Sequence, residues 1–140
     1  MNACQLVKQF GPLAGRIMLA LIFLISGFAK IGNFAGTAGF MASKGIPFAE
    51  IALVLTIIIE IGGGVMLVVG WKARWAALAL FLFLIPATLI FHNFWVVEAA
   101  QFQNQMNHFL KNVCILGGML YIMAYGSGPL SIDRDDCGTR

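Results

Sequence analysis

The sequence predicts an all-α integral membrane protein, a single domain built as a four-helix bundle. Three observations predict it. The chain is 60% hydrophobic and 11% charged, with a mean hydropathy of +0.88, and a soluble domain of 140 residues has too little interior to hide that much apolar surface. Four segments are long and apolar enough to cross a bilayer: Pro12–Ile31, Phe48–Gly70, Trp75–Trp95 and Met106–Tyr125. Finally, one carboxylate, Glu60, stands mid-way along the second segment, where it costs about 2.5–3.5 kcal/mol unless paired, hydrated or protonated. Thr56 lies one turn before it and Gly63 and Gly64 one turn after. Small residues mark the faces by which membrane helices approach one another, so Glu60 is expected to face the interior of the bundle.

Met1–Gly11 reads as a short, weakly basic lead. The stretch after Arg16 also has the outline of a signal peptide, but no A-x-A site follows, so it is read as a retained helix. In this first span Arg16, Phe23 and Lys30 are spaced by seven, Gly27 falls on the same side, and Ser26 lies one turn from Lys30. Arg16 is expected to be an interfacial anchor that snorkels to the headgroups. Lys30 either reaches the opposite headgroups or turns inward along the glycine face.

Asn33–Pro47 is too polar and glycine-rich to span. Phe34, Ala38 and Met41 form the buried side of a short interfacial helix, which either covers an opening between spans or simply connects them. Trp71–Trp75 is a tight turn with two interfacial tryptophans flanking two cations. The third span contains Pro86, which leaves the carbonyl of Leu82 unpaired and predicts a kink. Thr88 and His92 follow one turn apart, and His92 is either an interfacial residue or a group that titrates near neutrality. Phe94–Asn107 reads as an amphipathic connector. At the start of the fourth span His108, Lys111 and Asn112 share one face. The tail from Ser131 is expected to be solvated.

Basic residues set the orientation. Lys8, Arg16, Lys72, Arg74, Arg134 and Arg140 fall on the side of the termini, and Lys30, Lys44 and Lys111 on the other. That asymmetry places both termini in the cytoplasm. Helical rise then converts position into depth. Lys30, Glu60, His92, Lys111 and Asn112 all lie at or beyond mid-depth toward the outer side. The expectation is a cavity open to that side and floored by Glu60, with Glu60 paired to Lys30 or Lys111. Two lysines and one glutamate leave one positive charge in excess. Such a site suits a small anion or a quinone headgroup, with Glu60 and His92 exchanging protons and Ser26, Lys30, His108, Lys111 and Asn112 binding. The same residues also suit a proton or solute pathway, or a structural ion pair.

Several classes are set aside. The basic residues are dispersed without interleaved aromatics, which excludes a nucleic-acid surface. Cys4, Cys114 and Cys137 form no C-x-x-C, so thiol–disulfide chemistry is not expected. No C-x-x-C-H attaches haem. His92 and His108 with Glu60 differ too much in depth for a metal, and none is predicted.

The ordered motifs SGFAK at Ser26–Lys30, FAGTAGFMASKGIP at Phe34–Pro47, IEIGGG around Glu60, GWKAR, FHNFW around His92, HFLKN at His108–Asn112 and GPLSID at Gly128–Asp133 resemble the DoxX family of small four-helix membrane proteins. The likeness runs from Arg16 to Asp133. It implies the bundle fold and the bacterial inner membrane. It also implies redox work: the family takes its name from a small subunit of a terminal quinol oxidase, and related members are linked to thiosulfate:quinone oxidoreduction. The chain has no haem or copper ligand set, so a terminal oxidase by itself is not expected. The leading expectation is a quinone-interacting subunit of a membrane oxidoreductase, with a partner subunit or as a homo-oligomer. The alternative is a non-enzymatic scaffold or assembly subunit, or a small transport protein.

Overall fold

The computed structural model describes residues 2–133. Five helices follow in order: α1 (Ala3–Gly32), α2 (Phe34–Ser43), α3 (Ala49–Val69), α4 (Ala73–Phe91) and α5 (Ala99–Tyr125), with one 3-10 turn at Phe94–Val96 between the last two. The chain is an all-α membrane protein. α1, α3 and the segment Ala73–Val96 that contains α4 are each long and apolar enough to cross a bilayer. The count of four such spans needs correcting. α5 begins well before Met106, and its first half carries Gln101, Gln103, Asn104, Gln105, Asn107 and His108, too polar to count as a span. α5 nevertheless runs antiparallel along α4. Asn112, midway along α5, donates to Thr88 near the end of α4, and the Arg74 guanidinium at the start of α4 donates to the carbonyls of Met123 and Ala124.

α1 is also longer than expected. It starts at Ala3, because Asn2 and Gln5 form a capping box, each side chain bonding the other's backbone N–H at 2.9 Å. Pro12 lies inside the helix rather than at its start. Thirty residues reach about 45 Å, so the polar first turns extend past a hydrocarbon layer of about 30 Å.

The helices pack in the order α1 on α3, α3 on α4 and α4 on α5, with α2 laid over α3. Close approach depends on glycine at α1/α3: a Cβ on Gly27 would lie 2.6 Å from Ile61 Cγ1. The core between these helices is built from Ala20, Phe23, Leu67, Ala76, Leu80, Leu84, Ile115 and Met119. Ala38 and Met41 of α2 bury against Leu53. Outward faces carry Met18, Ile25, Val54, Ile58, Leu82 and Leu120 exposed, the apolar belt a lipid-facing surface needs.

Two expectations fail at the end of the bundle where α3 passes to α4, for one reason. A helix terminus leaves four carbonyls or four N–H groups without partners. Arg16 does not snorkel. It is 2% exposed, and its guanidinium donates to the carbonyls of Leu67 (3.0 Å) and Val68 (3.3 Å) at the end of α3 and of Leu130 (2.8 Å) in the tail. Nor do Ser131–Asp133 hang free in solvent: the Ile132 side chain is exposed, but Ile132 and Asp133 donate to the carbonyls of Val69 and Gly70, and the Asp133 carboxylate accepts from the N–H groups of Lys72 (2.7 Å) and Ala73 (2.9 Å). Asp133 thus caps α4 from 60 residues away. Gly70 turns the chain between the two helices at φ +67°. Cys137, Arg134 and Arg140 lie outside the described residues.

Asp133→Ala removes the cap, and the expected cost is ~1 kcal/mol, read as a lower thermal midpoint in detergent with the helical content of the folded state unchanged. An unaltered midpoint would show that the tail contact contributes nothing.

Candidate functional site

The site begins with a carboxylate that the sequence of α3 cannot satisfy by itself. Glu60 is followed by Gly63 and Gly64 and flanked by aliphatic residues. Its partners come from α1, which Gly27 allows close enough that a Cβ there would lie 3.4 Å from Glu60 Cβ. Lys30 Nζ sits 3.0 Å from Oε1 and 2.9 Å from Oε2 of Glu60. It also donates to Ser26 Oγ, and Ser26 donates to Glu60 Oε1 at 3.2 Å. Every N–H of the ammonium therefore ends on an oxygen. The Glu60 side chain is 6% exposed and that of Lys30 22%, so Lys30 turns inward and does not reach for the headgroups. Burial makes this pair expensive to break, because a charge left alone in that position has no water to replace its partner.

The triad stands in the wall of a cavity of about 360 Å³. Lys111, Asn112, His92, Gln105, Thr37 and Thr56 supply its remaining polar groups. Phe40, Met41, Phe83, Phe91, Leu84, Ala87, Ile22, Phe23 and Ile115 supply the apolar lining. Glu60 is not the floor that depth arithmetic suggested. The lining continues about one helical turn beyond it on α1, through Ile22 and Phe23, and that part is apolar.

Asn112 is buried and donates to Thr88 Oγ1 at 2.9 Å. Thr88 in turn donates to the Leu84 carbonyl at 2.6 Å. This ties α5 to α4 just beyond Pro86, which sits inside an unbroken helix. His92 ends α4, with Nδ1 3.0 Å from Gln105 Oε1, and its ring stacks on His108 with centroids 5.0 Å apart. His108 stands behind His92 and Lys111 and does not line the cavity. The two stacked imidazoles face each other, so their lone pairs do not converge on a common centre as an axial haem pair requires. Lys111 is exposed, 3.4 Å from His108 Nδ1, and has no carboxylate partner among the described residues. With Lys30 and Glu60 cancelling, Lys111 gives the cavity its excess positive charge.

The structure thus gathers Ser26, Lys30, Glu60, His92, Lys111 and Asn112 around one space and leaves His108 outside it. The sequence did not single out Gln105 or Thr37. Gln105 is one of several amides in a polar stretch, with nothing local to distinguish it. Thr37 sits one turn before Met41 and follows from reading α2 as a cover.

The DoxX family model matches residues 11–93. The inner membrane protein YphA of Escherichia coli (strain K12) is 33% identical over 122 residues, 87% of each chain. The inner membrane protein YqjF of the same organism is 34% identical over 128 residues, 91% of this chain and 93% of that one. The Surfeit locus protein 4 homolog of Schizosaccharomyces pombe is 30% identical over 91% of this chain but only 38% of its own length. No solved structure matches the chain.

Removing one member of the ion pair strands the other. Lys30→Met is expected to destabilise the fold by ~3 kcal/mol, whereas Lys30→Met combined with Glu60→Leu recovers most of that loss. Thermal unfolding of the three proteins in detergent measures both, and equal stability of the single variant and the parent would show that Glu60 does not depend on Lys30.

Proposed function

The chain belongs to the DoxX family, and from that premise we propose that it is a quinone-interacting subunit of a membrane oxidoreductase, with its cavity receiving the quinone headgroup. One observation carries this reading: a half-open cavity between the helices combines an aromatic and aliphatic lining with an uncompensated ammonium, that of Lys111. A quinone headgroup is a flat ring bearing carbonyl acceptors, and such a lining suits it. Asn112 uses Nδ2 on Thr88 and keeps its carbonyl oxygen for a hydroxyl donor. Lys111 supplies N–H donors for a carbonyl. Phe40 and Phe91, with ring centroids 5.7 Å apart, give the ring an apolar wall.

When bound, a quinone supplies two-electron redox chemistry coupled to two protons. The chain's own part is to position the ring and to hold protons. His92, hydrogen-bonded to Gln105 at the rim, relays a proton between the outer surface and the cavity. Glu60 sets the electrostatics of the inner wall by cancelling Lys30. In this reading the electrons are exchanged with a redox partner subunit, and the chain holds the quinone headgroup. The basic residues support an orientation with both termini in the cytoplasm, which opens the cavity toward the outer side.

A second reading is favoured by the mutual satisfaction of Lys30, Ser26 and Glu60. A triad whose every N–H and O–H is already spent within it serves equally as a helix fastener in a non-enzymatic scaffold. Exchanging the charges, Lys30→Glu with Glu60→Lys, separates the two. The scaffold reading expects the fold and any partner complex to survive, and the quinone reading expects quinone binding to fall.

Protein purified from its own membranes is expected to carry extractable quinone, quantified by chromatography. Lys111→Ala should weaken rebinding of a short-chain quinone about tenfold, the worth of one charge-assisted contact of about 1.4 kcal/mol. A folded protein that carries no quinone and binds none when it is added would end the proposal.

A further inference from the structure

The bundle does not close evenly around the cavity. α1 and α5 run antiparallel and meet at the inner half, where a Cβ on Gly118 would lie 3.0 Å from Leu19 Cδ1. One and two turns farther out, the facing residues of both helices line the cavity instead: Ile22 and Ser26 on α1, and Ile115 and Lys111 on α5. α1 and α5 therefore touch below, and their facing residues line the cavity above. Cys114 lies one turn outward of Gly118 on the same flank and is exposed. Ile25, within one turn of both Ile22 and Ser26, is 66% exposed. Both stand beside the upper seam, at a level where α1 is apolar on its outer face, with Leu21, Ile25 and Phe28 exposed.

The polarity of the cavity is graded along the same line. The Lys111 ammonium and the Gln105 amide lie toward the rim, and the lining about one turn farther in is Ile22 and Phe23 on α1 and Ile115 on α5. An apolar end suits a hydrocarbon chain better than a water-soluble ligand. At about 360 Å³ the space is also near the lower end of ligand pockets, which run from about 300 to 1,000 Å³, so a long chain cannot be housed entirely within it. We infer that the cavity is loaded sideways from the bilayer through the α1–α5 seam, and that its ligand is a lipid-phase amphiphile with one hydrocarbon chain, head at Lys111 and Asn112, chain leaving past Ile22 and Cys114. This rests on the proposed reading only in that the cavity holds an amphiphile's head. An isoprenoid chain and an acyl chain satisfy it equally.

The test reconstitutes the whole protein in phospholipid vesicles with one of two probes carrying a diazirine in the chain, a prenyl benzoquinone or a fatty acid. Adducts are mapped by mass spectrometry after illumination. Expected is about tenfold more adduct at Ile22, Ile25 and Cys114 than at Leu55 and Ile58, which are exposed on α3, corresponding to about 1.4 kcal/mol of preference. Cys114→Trp, a change at an exposed position, should cut the seam adducts severalfold with the circular dichroism unaltered. Seam labelling by the fatty acid alone supports sideways loading and overturns the quinone reading, whereas seam labelling by the quinone probe supports both. Even labelling of α3 and the seam by both probes overturns sideways loading. The quinone reading would survive that result if a tail-less benzoquinone still bound.

Discussion

The architecture depends on the neutralisation of one carboxylate at membrane depth. Glu60 accepts hydrogen bonds from Lys30 and Ser26, and the three oblige α1 and α3 to meet at one register. Gly27 makes that register attainable by letting the two backbones approach. With α1 held against α3, α4 packs on α3 and α5 on α4, which brings α5 back to α1 at Leu19 and Gly118. The energetic logic is asymmetric: the pair adds little beyond what aliphatic residues would provide, but either half alone would be intolerable.

The ion pair stands in the wall of a space that apolar packing does not fill. Thr56, Asn112 and Gln105 line it on the same side of the bundle, and Lys111, which has no carboxylate partner among the described residues, gives it a sign. α2 crosses the mouth with Thr37 and Phe40, which accounts for a ten-residue helix too short to span.

Periodicity revealed what lay within single helices. Glu60 on a face with Thr56 and the glycines, Lys30 on a face with Ser26, and Ala38 with Met41 under α2 all follow from spacing by three, four or seven. The inner end was not legible. Arg16 looks like any interfacial cation, because nothing in its own helix announces the orphan carbonyls of α3 and the tail. Asp133 looks like a solvated residue in a charged tail, because the N–H groups it caps belong to a helix 60 residues earlier. The floor of the cavity was misplaced for a related reason. Depth arithmetic orders residues along helices, but not the gaps between them, and the gap beyond Glu60 belongs to the α1–α5 seam.

The Asp133 contact has a consequence for biogenesis. Translation delivers residue 133 only after every helix has emerged, so the start of α4 must wait at the headgroup level with its leading amides bound to water. The Arg16 guanidinium waits as well for the Leu130 carbonyl. Insertion of the helices and locking of their inner ends are therefore separate events in time, and a nascent chain arrested before this point would hold its spans in place without the clasp that joins them.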